Sequence, residues 1–244
     1  MQRLFIQGVC AKGGRVVIND LKQVHHVTQV LRCKPGDTLI VCDEKKNEFL
    51  CVIHASSGDA LECAVIDTYT KSDKKEEVYL AVACAIPKNS RVDDAINKLT
   101  QIGVNRIIPM TTQRVIVKIR KEKAGARLHR WKTIAESASE QCQRTDIPLV
   151  DEATDFSRVL ELSDEFDLKL ICALIDERKP LREVLDATHA KKIMVVIGPE
   201  GDFTPDEVCL AKQKGFVPVT LGATVLRVET AAVAVASFIR LYSL

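Results

Sequence analysis

The sequence predicts an α/β protein in two parts: a small β-barrel with one helix over residues 1–70, then an α/β domain with a mostly parallel sheet over residues 76–244. Three observations carry that expectation. Short apolar runs of alternating or β-branched character, separated by turn residues, fill the first part. Buried-strand runs alternate with helix-period segments in the second. Between them the stretch "TKSDKKEEV" from Thr70 is charged and has no large apolar residue before Val78, as expected of a linker.

In the first part "RVVIN", "DTLIVCD", "FLCVIHA" and "ALECAVI" read as strands, with turns at Lys34-Pro35-Gly36-Asp37 and Ser57-Gly58-Asp59. Leu21, Val24, Val27, Val30 and Leu31 recur at near-helical spacing between Asp20 and Arg32, and Asp20 is available as N-cap. In the second part residues 78–86, 104–109, 168–175, 193–197 and 216–221 read as strands, and 92–102, 131–143 and 229–242 as helices.

The stretch "VVIGPEGDFTPDEV" (195–208) reads as strand, tight loop and helix. Thr204 has the place of an N-cap, Pro205 the first helical position, and Glu207 can bond back to the cap; Gly215 is placed to end the helix. Loops at the carboxyl ends of strands in α/β sheets are where ligands usually bind. Gly198 and Gly201 allow close backbone approach or positive φ. The chain has neither G-x-x-x-x-G-K-[ST] nor G-x-G-x-x-G, and Glu200 and Asp202 would repel a polyphosphate, so a neutral or cationic ligand fits better. The plainer alternative is a solvent-facing Glu200 with Asp202 favouring the helix dipole.

A second constellation is "LGATVLRVETAAVAVASFI" (221–239). Leu221-Gly222 closes a strand and turns; Arg227, Glu229 and Thr230 crowd the start of a helix almost free of charge, which must be buried in the domain or against a partner. Arg227 and Glu229 read either as an ion pair that locks the turn or as a charged pair at the mouth of a pocket.

With 46% hydrophobic and 28% charged residues, the composition is that of an ordinary soluble globular protein. Nothing resembles a signal peptide, and no apolar run approaches a membrane span, so a cytoplasmic protein is expected. The nine cysteines include no Cys-x-x-Cys and read as thiols of a reducing compartment. His25, His26, His54, His129 and His189 have no metal-ligand spacing, so no metal is expected. Lys118, Arg120, Lys121, Lys123, Arg127, Arg130 and Lys132 stand against the single acid Glu122. That density is the footprint of a phosphate-backbone contact, or else a solvated helix face. Trp131 reads as core.

"IGPEGDF" (197–203) followed by "LGATVLRVETA" (221–231) resembles the paired signature of the RsmE family, the 16S ribosomal RNA (uracil-N3) methyltransferases of the SPOUT class. "HHVTQVLRCKPGD" (25–37), "INKLTQIGVNRIIPM" (96–110) and "RWKTIAESASEQCQR" (130–144) extend the likeness along almost the whole chain. The resemblance implies a PUA-like, RNA-binding barrel and a carboxyl-terminal domain threaded into a trefoil knot that binds S-adenosylmethionine. Carried over by motif, the cofactor would lie against Ile197, Gly198, Glu200, Gly201, Leu221, Gly222, Val225 and Leu226, with Leu174 a further contact. Its sulfonium cation and phosphate-free adenosine suit a glycine-shaped loop with carboxylates nearby.

The implied reaction is methyl transfer to N3 of a specific uridine near the 3′ end of 16S rRNA in the small ribosomal subunit. That nitrogen must lose its proton, and the resulting charge must be stabilised. Arg227 would stabilise the charge or fix a phosphate, Glu229 would orient Arg227 or act as base, and Thr230 completes the expected catalytic group. Gln141 and Arg144, Arg3 and Arg32 in the barrel, and Lys88, Arg91, Arg114, Lys118 and Arg120 are the expected RNA contacts. The resemblance also implies a homodimer in which each subunit closes the other's site. The chain departs from the family pattern at Asn97, Lys98 and Gln101, at Asp202 where a second glycine is common, and at Val228 where threonine is common. The alternatives are a non-catalytic ribosome assembly factor of the same fold and a methyltransferase acting on tRNA or another rRNA site.

Overall fold

The computed structural model describes residues 2–6, 13–69, 78–86, 91–115 and 121–243. The linker stretch 70–77 and the expected RNA contacts Lys88, Lys118 and Arg120 lie outside these residues, as does the side chain of Arg91. The chain divides into one unit of Met1–Lys75 with Ser139–Asp146, and a second of Glu76–Ala138 with Ile147–Leu244.

In the first unit, β1 (Gln2–Phe5), β2 (Arg15–Ile18), β3 (Thr38–Cys42), β4 (Glu48–Ser57) and β5 (Ala60–Tyr69) form a sheet of order β1-β3-β4-β5-β2. Its pairs are antiparallel except β1 with β3. Alternate residues of β2, β3, β4 and β5, together with Leu4 of β1, enter a single core, so both edge strands contribute to it. A sheet whose two edges share one core is curled toward a barrel, and two register shifts between β4 and β5 supply local bending. Over the core lies α1 (Leu21–His25), continued by a π-helical turn, His26–Val30; together they bury Val24 and Val27. Asp20 caps α1 as expected, accepting the N–H groups of Lys22 at 2.9 Å and Gln23 at 3.2 Å. β1 was not legible beforehand: in four residues only Leu4 is fully buried, too short a run to display alternation.

The second unit is a sheet of β6 (Tyr79–Ala85), β7 (Arg106–Thr111), β8 (Leu149–Val150), β9 (Thr154–Asp155), β10 (Leu168–Cys172), β11 (Lys179–Pro180), β12 (Lys192–Ile197) and β13 (Val217–Thr220). Its order is β11-β13-β10-β12-β6-β7-β8, with β9 also on β7, and every pair is parallel. Helices cover both faces: α2 (Arg91–Gln101), α3 (Lys121–Gln141), α4 (Phe156–Leu162), α5 (Leu181–Asp186), α6 (Pro205–Gln213) and α7 (Val228–Tyr242). On β6, Leu80, Val82 and Cys84 join a core built with α2, α5 and α7, and Trp131 of α3 lies there as expected. Ala81, Ala83 and Ala85 point the other way, into a core with α4, α6 and the large rings of Phe156, Phe166, Phe203 and Phe216. A strand buried on both faces has no polar side, which is why residues 78–86 read as one apolar run. Among the described residues, no helix is long and apolar enough to cross a membrane.

Candidate functional site

Three adjacent parallel strands, β13, β10 and β12, end side by side. Beyond their carboxyl ends a pocket of ≈ 270 Å³, open to solvent, is closed on one side by the start of α7. This is the location of small-molecule sites in open α/β sheets. Two apolar residues on its lining, Leu174 and Val225, are 51% and 72% exposed.

The loop after β12 is fixed by several unlike contacts. Gly198 does not have positive φ; a Cβ there would lie 2.8 Å from the Phe203 ring, so the absence of a side chain is what lets that ring sit under the loop. Phe203 is buried and packs against Phe156 with centroids 5.3 Å apart. Asp202 has φ 59°, the left-handed region in which glycine is free of strain and aspartate is among the better tolerated residues. Its carboxylate accepts the backbone N–H of Leu174 at 2.9 Å. Arg114 donates to the carbonyls of Gly201 at 2.8 Å and Phe203 at 3.3 Å. The capping box is present as read: Thr204 Oγ1 accepts from the Glu207 N–H at 3.2 Å, and Glu207 accepts from the Thr204 N–H at 2.9 Å. The other oxygen of the buried Glu207 carboxylate takes the Gln113 N–H at 2.9 Å, tying α6 to the segment after β7.

The second signature forms the opposite wall. Gly222 has φ 133°, so a turn that only glycine makes without strain follows β13. Arg227 is the N-cap residue of α7 and lines the pocket, as do Val228 and Ala231. Glu229 and Thr230 do not line it: at about 100° per residue, the helix carries positions 229 and 230 away and brings 231 back. Val228, which stands where the family commonly has threonine, is 3% exposed in the core. At the other departure, Gln101 donates to Asn97 Oδ1 at 2.6 Å along α2.

Of the residues expected to hold a cofactor, Leu174, Ile197, Gly198, Glu200, Leu221, Gly222, Val225 and Leu226 line the pocket, whereas Gly201 does not; its carbonyl accepts from Arg114 at 2.8 Å. Reading the sequence missed Cys172, Ala173, Arg178, Val219, Thr220 and Thr224. Cys172 ends β10 and Ala173 follows it, where the sequence predicts a strand running on to residue 175. Arg178 precedes β11, a two-residue strand too short to leave a pattern. The Cys172 thiol is pushed up to about 12 by burial, so at neutral pH it is a neutral lining group and not a thiolate nucleophile.

The expected RNA contacts fare unevenly. Arg3 pairs with Glu48 at 2.9 Å, and its side chain is 12% exposed. Arg144 pairs with Asp146 at 3.1 Å and is 10% exposed. Burial pushes the Asp146 carboxyl up, but Arg144 and Lys46 together outweigh it and hold the group below its ordinary value. Both arginines are therefore committed within the first unit, leaving little of either guanidinium for a nucleic acid. Arg32, at φ 55°, and Gln141 are exposed, and Arg114 is exposed apart from its bonds to the loop. Among the described residues no group of three or more His, Cys, Asp or Glu is placed to hold a metal ion.

Residues 74–240 match the family model described as "RNA methyltransferase domain", and residues 18–66 the one described as "RNA methyltransferase PUA domain". The chain is 30% identical over 218 residues to ribosomal RNA small subunit methyltransferase E of Bacillus subtilis, covering 86% of this chain and 84% of that protein. It is 29% identical to the protein of the same name from Rickettsia conorii, with 98% and 95% covered. Among solved structures, ribosomal RNA small subunit methyltransferase E of Neisseria gonorrhoeae bound to S-adenosyl methionine superposes with a TM-score of 0.85 at 27% identity, covering 99% of this chain and 97% of that one.

Proposed function

Because the chain belongs to the RNA methyltransferase family, in its ribosomal RNA small subunit methyltransferase E branch, we propose that it methylates N3 of a specific uridine near the 3′ end of 16S rRNA, with S-adenosylmethionine as methyl donor. The observation that carries this reading is the meeting of the two signature stretches, 197–202 and 221–228, around one pocket beyond three adjacent strand ends.

The residues present fit that donor. Ile197, Leu221, Val225 and Leu226 offer apolar surface for an adenosine, and Glu200 and Asp202 set negative charge where a polyphosphate would be repelled and a cation favoured. When bound, S-adenosylmethionine supplies a methyl group on a sulfonium, which is electrophilic at carbon. The chain's own part is to orient the reactants against these apolar walls and to stabilise the uracil oxygen charge that develops as N3 gives its proton to water at the open side of the pocket. Arg227, at the pocket wall, is assigned to that charge. Of the two roles considered for Glu229, orienting Arg227 fits its place in the first turn of α7 better than acting as base, since it does not line the pocket; Thr230 belongs to the same supporting turn.

The same reading makes residues 1–70 a PUA-like RNA-binding barrel and 76–244 a knotted SPOUT domain, working in the cytoplasm as a homodimer. Phe238, Leu241 and Tyr242 on the exposed side of α7 support a subunit contact there. Light scattering checks it, and a mass of one subunit at micromolar concentration would remove it.

The deciding experiment incubates the purified protein with methyl-labelled S-adenosylmethionine and small ribosomal subunits lacking their uridine methylation, then analyses the digested RNA by mass spectrometry. Label recovered as 3-methyluridine in one fragment is the expected result. Cofactor binding without label points to another RNA substrate; neither binding nor label points to an assembly factor.

A further inference from the structure

The pocket contains a second guanidinium that the signature stretches do not supply. Arg178 lies on the segment leaving β10 and lines the pocket together with Arg227. Two ties hold that segment. Glu177 forms an ion pair with Lys212 of α6. On the other side of Arg178, Lys179 and Pro180 pair with Val219 and Thr220 of β13, which are themselves pocket residues. Glu177, the carboxylate next in sequence, is thus engaged elsewhere: the hydrogen bond and charge of Lys212 hold its carboxyl below the ordinary value.

Among the described residues Arg178 has no ion-pair or hydrogen-bond partner of its own. A half-buried arginine with no acceptor among the described residues presents a planar set of donors matched to a carboxylate or phosphate. The carboxylates lining the same pocket do not serve that purpose. Asp202 is turned to the Leu174 N–H, and Glu200 has an interaction of its own. The site is therefore bipolar, with carboxylates on the loop after β12 and guanidinium groups at Arg178 and Arg227.

We propose that Arg178 binds an oxyanion of the ligand held in this pocket, either the carboxylate at the amino-acid end of the cofactor or a phosphate of the target RNA. The inference rests on the reading of the pocket as the cofactor site. It makes Arg178 a determinant of binding, separate from the charge stabilisation assigned to Arg227.

The test uses the full chain as wild type, Arg178→Met and Arg178→Lys. Each is titrated calorimetrically with S-adenosylhomocysteine, which has the carboxylate, and with 5′-methylthioadenosine, which lacks it; KM for undermethylated small subunits is measured in parallel. If the oxyanion is the cofactor's, Arg178→Met weakens S-adenosylhomocysteine about tenfold, equivalent to about 1.4 kcal/mol, and leaves 5′-methylthioadenosine within about twofold. Arg178→Lys then keeps part of the difference, having the charge without the planar fork. If it is a phosphate, both nucleosides bind as in wild type while KM for the subunit rises about tenfold and becomes less sensitive to salt. Equal weakening of both nucleosides, or no change in any of the three quantities, overturns the proposal. A wild-type chain that binds neither nucleoside overturns the cofactor reading instead.

Discussion

The carboxylate of Asp202 and the backbone N–H of Leu174 meet at 2.9 Å across 28 residues of sequence, fastening the loop after β12 to the segment leaving β10. Both residues line the pocket, so this bond sets the spacing of two of its walls. The same residue sits at φ 59°, where a side chain costs about 1 kcal/mol relative to glycine. Asp202→Ala loses the bond and keeps the strain, whereas Asp202→Gly loses the bond and relieves the strain. In urea unfolding, Asp202→Ala is expected to be less stable than Asp202→Gly by about 1 kcal/mol. Both are expected to bind S-adenosylhomocysteine more weakly than wild type. An alanine variant at least as stable as the glycine one contradicts this account.

Gly198 answers to Phe203 and not to backbone conformation. Adding one methyl places it 2.8 Å from a buried ring packed on Phe156. Gly198→Ala is therefore expected to destabilise the chain by about 1–3 kcal/mol, the usual cost of overpacking, and to weaken cofactor binding as the loop shifts. Shortening the ring in Gly198→Ala/Phe203→Leu should recover part of the stability, measured as a coupling energy in a double-mutant cycle. Strictly additive effects would mean the clash is relieved elsewhere.

These two positions also mark how far the sequence was legible. Gly198 could be read as a place of close approach, but what approaches it depends on where Phe203 packs, five residues on. The long buried strands and the Thr204–Glu207 capping box left patterns because each depends on local spacing. β8, β9, β11 and the short helices α4 and α5 left none, since elements of two to seven residues repeat the strand or helix period too few times to stand out. α3 begins at Lys121, ten positions before the expected start at 131, because its charged first turns carry no apolar stripe. At the site, the two signatures gave both walls contributed by β12 and α7. Arg178 could not be found that way, because β11 brings it to the pocket only through pairing with β13.

Arg227 is the residue of the expected catalytic group that reaches the pocket. Its removal should affect the reaction more than ligand binding, because a developing charge exists only in the transition state. Arg227→Ala is expected to lower kcat by about 100-fold or more while S-adenosylhomocysteine binds within about threefold of wild type. Single-turnover methylation combined with calorimetry separates the two quantities. Full activity in this variant removes the assignment.

Cys84 lies in the interior strand β6, and burial pushes its thiol from an ordinary 9.0 up to about 12. The folded chain then keeps a proton that the unfolded chain has released. The contribution to stability is complete below pH 9 and is lost as the pH rises from 9 toward 12, by at most about 1.4 kcal/mol per pH unit. Cys84→Ala abolishes this slope. In urea unfolding at pH 8 the variant is expected to be less stable by about 1 kcal/mol for the cavity it leaves. By pH 10.5 the gap should narrow or reverse. A gap independent of pH would show that the thiol ionises as readily in the fold as out of it.

Arg240, near the end of α7, donates to the carbonyl of Val78 at 2.6 Å, to Asn105 Oδ1 at 2.6 Å and to the carbonyl of Gly103. Asn105 Oδ1 also accepts the Leu80 N–H at 2.9 Å, so one guanidinium ties the helix to the start of β6 and to the turn between α2 and β7. Arg240→Met removes the donors and leaves these acceptors facing an apolar side chain, which is expected to cost about 2–4 kcal/mol. The pocket end of α7 is held independently by Val228, Ala231, Ala232 and Val235, all buried. Stability and ligand affinity should therefore separate: the urea midpoint falls while S-adenosylhomocysteine affinity, measured well below the transition, stays within about threefold. A variant that loses affinity in proportion to stability would mean that α7 responds as a rigid rod, with Arg240 setting the position of Arg227 from the far end of the helix.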